Sequence, residues 1–142
     1  MAVKLRKLLG LAAGWQNVQH NTLTRRSEKK NFAMKLNIRA QTAQNQHNNS
    51  PIVLVHGLFG SLDNLGVLAR DLVNDHNIIQ VDMRNHGLSP REPVMNYPAM
   101  AQDLVDTLDA LQIDKATFIG HSMGGKAVMA LTALARDRID KL

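Results

Sequence analysis

A chain of 142 residues, 44% of them apolar, has the length of about one domain and enough apolar surface for a core. It holds no cysteine, which excludes disulfides, thiolate metal sites and a cysteine nucleophile. The formal charge of +5 comes from residues 1–33, with seven Lys/Arg against Glu28 alone; residues 34–142 carry ten Lys/Arg against eleven acids, so this near-neutral, aromatic-poor body is not a nucleic-acid surface.

Residues 1–33 read as a basic N-terminal extension, disordered or weakly helical. Leu5, Leu8, Leu9 and Ala12 fall at helical spacing, but the uncharged stretch 8–15 is far too short to cross a bilayer. An acid-poor, basic start also suits an organelle transit segment or a membrane-surface helix. The expected location is cytoplasmic, or an organelle if this segment is a transit sequence.

From Met34 the pattern is that of an α/β domain spanning 34–142. "MKLNIRA" (34–40) alternates as a first strand does, and "PIVLV" (51–55) is a β-branched run ended by His56 and Gly57, the signature of a buried strand. Leu65, Leu68, Ala69, Leu72 and Val73 form one apolar helix face, with Ser61 or Asp63 as the cap. "NIIQVD" (77–82) is the next buried strand, followed by the loop "MRNHGLSPREP". A helix over 98–111 buries Met100, Leu104, Val105, Leu108 and Leu111, with Asp103, Asp106 and Asp109 on a solvated face. "ATFIG" (116–120) is a strand, and a helix from Met123 to about Arg136 turns Ala127, Val128, Leu131 and Leu134 inward. Strands alternating with helices through short connections imply a mostly parallel sheet with right-handed crossovers.

The stretch "TFIGHSMGGKA" (117–127) fits two motifs. One is G-x-S-x-G, the strand-to-helix turn that presents a serine nucleophile. The other is nearly G-x-x-x-x-G-K-[ST], a phosphate-cradling loop with Lys126, but that loop needs a hydroxyl where Ala127 stands and leaves Ser122 without a task. The upstream turn "HGLFG" (56–60) is also unexplained by a phosphate site. An acyl-transfer site needs it, because a second backbone N–H must share the developing oxyanion with the N–H just after the nucleophile. Ser122 is therefore the candidate nucleophile, with Leu58 and Met123 N–H in position for the oxyanion hole. His56 and Gly57 support that loop, and Gly120 and Gly124 keep the flanks of the elbow clear.

The segments "PIVLVHGLFGSLDN" (51–64), "QVDMRNHGLSP" (80–90) and "FIGHSMGGKAVM" (118–129) together resemble the α/β-hydrolase superfamily, more narrowly bacterial esterases of the YbfF type and their eukaryotic relatives. The resemblance covers about the first half of such an enzyme. It implies a serine carboxylesterase acting on short acyl esters, or on thioesters of coenzyme A, without metal or cofactor. It also implies that Asp82 and Arg84 anchor a loop near the site, within a D-x-R-G-x-G-x-S pattern whose first glycine is here Asn85.

The fold's chain order is Ser, then Asp/Glu, then His. All six histidines precede Ser122, and only Asp137 and Asp140 follow it. His121 is expected to pack against the strand end. The chain is thus expected to be a fragment, with its acid, base, cap and further strands, including the one after "DRIDKL" (137–142), lying beyond Leu142, and to lack ordinary turnover. A non-catalytic module of the same fold, binding an acyl ligand or a partner, is the alternative.

Overall fold

Two short apolar runs sit at the centre of the sheet and are buried on both faces. In the computed structural model, which describes residues 35–45 and 49–142, they are strands β2 (Ile52–Val55) and β3 (Ile78–Val81). The basic extension 1–33 lies outside the described residues. Strands β1 (Ile38–Gln41), β4 (Ala116–Gly120) and β5 (Ile139–Lys141) complete a sheet of order β1-β3-β2-β4-β5. β2 pairs in parallel with β3 and β4, and β5 runs parallel to β4. β1 is antiparallel to β3. It is also shorter and later than its alternation predicts, because residues 35–37 lie outside the ladder.

The period of two along β2 sorts its side chains between two cores. Val53 and Val55 face one core with Ile79, Val81 and Phe118; Ile52 and Leu54 face the other with Ile78. The first core is closed by helices α2 (Tyr97–Ala110) and α3 (Met123–Ala135), through Met100, Leu104, Leu108, Ala127, Val128 and Leu131. The second is closed by α1 (Gly66–Leu72), whose Ala69 is fully buried and whose Leu68 and Leu72 pack beside it. Covering both faces is what permits a parallel sheet of unbroken apolar strands.

Local signals set the helix starts. Ser61 closes a capping box with Asn64 over a 3₁₀ turn (Leu62–Leu65) that leads into α1. Asn96 accepts the Ala99 N–H at 2.9 Å and Pro98 stands in the first turn of α2. No helix among the described residues is long and apolar enough to cross a membrane.

Three expectations are corrected. Asp103 is buried rather than solvated. Leu134 is half exposed rather than inward, since in the last turn of α3 it is Ala135, four residues on from the buried Leu131, that packs against the core. The segment after α3 is not strandless: Ile139–Lys141 forms β5, which adds to the sheet beside β4, pairing at Ala116 and Thr117.

Candidate active site

β4 ends at Gly120 and α3 begins at Met123, leaving only His121 and Ser122 to reverse the chain. Ser122 takes φ 53° and ψ −113°, a conformation that costs a non-glycine residue about 1–3 kcal/mol. Neighbouring bonds hold it there. His121 N–H donates to the Val55 carbonyl at 2.9 Å, Gly124 N–H to His121 O at 2.9 Å, and Lys126 N–H to Ser122 O at 3.2 Å. The two glycines are required by close approach. A Cβ on Gly120 would stand 2.6 Å from the Gly124 carbonyl carbon, and one on Gly124 would stand 2.6 Å from the His56 oxygen. The elbow is thus pressed against the end of β2, with Ser122 exposed and its hydroxyl not used as a helix cap.

The turn after β2 lies against this elbow. A Cβ on Gly57 would meet the Ser122 Cβ at 3.3 Å and His121 Nδ1 at 2.9 Å. His121 therefore lies beside this turn and stays exposed, rather than being packed away. Gly57 O accepts two bonds, from Gly60 N–H at 3.0 Å and from His56 Nδ1 at 2.7 Å. Since the peptide is trans, its C=O and N–H point in opposite directions, so the Leu58 N–H faces away from both donors. Neither the Leu58 nor the Met123 N–H has a hydrogen-bond partner among the described residues.

The loop after β3 supplies the scaffold. The buried Asp82 carboxylate accepts Leu62 N–H at 2.7 Å, Leu88 N–H at 2.9 Å and Asn37 Nδ2 at 2.8 Å, tying three segments together. Burial pushes its pKa up, but the bonds from Leu88, Asn37 and Leu62 outweigh this and hold it below the ordinary carboxylate value. Ser89 Oγ donates to Asp82 O at 2.6 Å and accepts Asn37 N–H at 2.8 Å.

Arg84 reaches α2 instead. Its guanidinium grips Asp103 with two bonds of 2.7 and 2.8 Å and donates to Val94 O at 2.7 Å. The bonds to the Asp103 carboxylate hold its pKa above the ordinary value. Both residues therefore anchor the loop, and neither is aimed at Ser122. Asn85 sits at φ 65°, where asparagine is among the few non-glycine residues tolerated. Its side chain closes the loop on Glu92, accepting N–H at 2.7 Å and donating to O at 3.0 Å.

Residues 50–142 match the family model of the alpha/beta hydrolase fold. The chain belongs to this family. This α/β-hydrolase chain is 97% identical over 109 residues to Esterase YbfF of Escherichia coli (strain K12), covering 77% of the chain and 43% of that protein. It is 44% identical over 94 residues to the sn-1-specific diacylglycerol lipase ABHD11 of Xenopus laevis, covering 65% of the chain and 30% of the lipase. Among solved structures it resembles a marine microorganism esterase with a TM-score of 0.71 and 36% identity, over 77% of the chain and 40% of the esterase. The chain thus spans less than half the length of these relatives.

For two residues the sequence does not show the role that the structure gives them. Asp103 lies at the spacing of Met100, Leu104, Thr107 and Leu108, all buried, so the helical period alone places it on the inner face. His86, buried in the β3 loop, carried no periodic signal at all.

Proposed function

We propose that this chain carries the nucleophile and oxyanion-binding half of a serine carboxylesterase site. Ser122 Oγ attacks the acyl carbon of an ester, or of a thioester, and the Leu58 and Met123 N–H groups receive the oxygen that becomes negative. The N-terminus of α3, directly behind Ser122, adds a favourable dipole for that charge. The reading is carried by the strained, exposed Ser122 with Gly57 packed against it, where the residues following Gly57 and Ser122 each keep an N–H with no hydrogen-bond partner among the described residues. Relatives named as an esterase and a lipase support ester chemistry of this kind.

His56 and His86 are not available to take the serine proton. The Nε2 of each already accepts a backbone N–H, from Met83 at 3.0 Å and from Phe59 at 3.1 Å. The chain alone is therefore expected to react once at Ser122 with an activated electrophile and to turn over esters poorly. Over long incubation a fluorophosphonate probe should modify Ser122 slowly and leave Ser122→Ala untouched, with p-nitrophenyl acetate turnover near background. Labelling that survives Ser122→Ala would remove the nucleophile assignment; rapid turnover abolished by that substitution would show that a base is in reach after all.

A further inference from the structure

The two loops flanking the elbow exchange hydrogen bonds through two buried histidines. His56, at the end of β2, accepts Met83 N–H from the β3 loop; His86, on the β3 loop, accepts Phe59 N–H from the β2 loop. Each ring's Nδ1 contacts a carbonyl oxygen of its own loop, Gly57 O at 2.7 Å and Arg84 O at 2.9 Å. A carbonyl only accepts and an amide N–H only donates, so both rings must be neutral with the proton on Nδ1. The rings lie 5.1 Å apart between centroids, at 1% and 7% exposure.

Phe59 shows why this exchange matters to the site. Its φ is 61°, a left-handed conformation unusual for an aromatic residue, yet its side chain is 92% exposed and so is not fixed by packing. The backbone at this position is held instead by hydrogen bonds on either side: Phe59 N–H to His86, and Gly60 N–H to Gly57 O. Those same bonds fix the peptide that carries the Leu58 N–H.

We propose that His86 is a positioning residue for acyl transfer, holding the 57–60 turn through the Phe59 N–H so that the Leu58 N–H stays turned toward the Ser122 hydroxyl. The inference rests on the oxyanion reading above and adds a residue that touches neither substrate nor nucleophile. His56 is its counterpart, fixing Gly57 O within its own loop through Nδ1 while its Nε2 accepts the Met83 N–H of the β3 loop. The titratable groups acting on His56 are His86, 5.1 Å away between ring centroids, and the Asp82 carboxylate.

The test uses the full 142-residue chain, with His86→Phe, which keeps a ring but removes the acceptor, and His86→Gln, whose side-chain oxygen restores one. Amide hydrogen exchange of Phe59 and Leu58, imidazole ¹⁵N shifts and the rate of Ser122 phosphonylation by a fluorophosphonate are read together. His86→Phe should lose Phe59 protection and label Ser122 roughly 10- to 100-fold more slowly, while amides in β2 and β4 stay protected. His86→Gln should recover most of both. A fast-exchanging Phe59 amide in the unsubstituted chain, an Nε2-protonated His86, or a His86→Phe chain labelled at the original rate would each overturn the proposal. An unlabelled wild-type chain with Phe59 protected would overturn the acyl-transfer reading while leaving the histidine exchange in place.

Discussion

His56 is a neutral ring buried in a cluster that has no room for a second proton. Burial pushes its pKa down, the nearby His86 lowers it further, and the Gly57 carbonyl and Asp82 charge oppose this only in part. A histidine whose folded pKa is depressed contributes fully above its ordinary value, and that contribution is lost as pH falls toward the folded pKa. Asp82 acts in the same direction at lower pH, since its carboxylate is also held below its ordinary value. Urea unfolding should therefore show stability level above about pH 6.5 and a decline as the pH drops below it, the ordinary value of His56; below about pH 3.8 the loss from Asp82 is opposed by Asp103, whose pKa burial raises. Constant or rising stability from pH 7.5 to 5 would contradict the neutral assignment of His56. The backbone geometry of Ser122 belongs to the same scale: its φ of 53° is local strain at the strand-to-helix turn, of the kind found at functional sites.

Among the elements, α2 and the β3 loop are joined by the Arg84–Asp103 pair, with side chains 10% and 2% exposed. Removing one partner leaves a buried charge unpaired, which costs about 3–5 kcal/mol, whereas replacing both with apolar residues of similar volume is often near neutral. Asp103→Ala is therefore expected to lower the urea midpoint by far more than the double replacement Arg84→Met with Asp103→Leu, a comparison made by equilibrium unfolding. Equal losses would show that the pair acts mainly through specific loop geometry.

The strands and helices were legible because their cues are local: the β-branched runs 52–55 and 78–81, the apolar period of α2, the cap at Ser61. What could not be read locally is pairing between distant segments. The antiparallel docking of β1 on β3 and the meeting of Arg84 with Asp103 depend on how elements pack, which no single window of sequence contains. The elbow was legible because its G-x-S-x-G spacing is contiguous in sequence, even though Gly124 is required by the distant end of β2, whereas the role of His86 depends on a bond across 27 positions that no motif marks.

At the scale of the whole molecule, the sheet gathers these parts at one end. The loops after β2, β3 and β4 all leave from the carboxyl ends of parallel strands, the edge at which α/β proteins place their ligands. Residues 58 and 123 are 65 positions apart, yet β2 and β4 are neighbours with Val55 opposite Gly120, so the two loops that carry these amides leave from adjacent strand ends. The most direct test is the crystal structure of the Ser122 phosphonate adduct. The phosphoryl oxygen should lie within about 2.7–3.1 Å of both the Leu58 and Met123 nitrogens. An adduct whose oxygen points to solvent, with the Leu58 N–H turned elsewhere, would contradict the assignment of this end of the sheet as an acyl-transfer site.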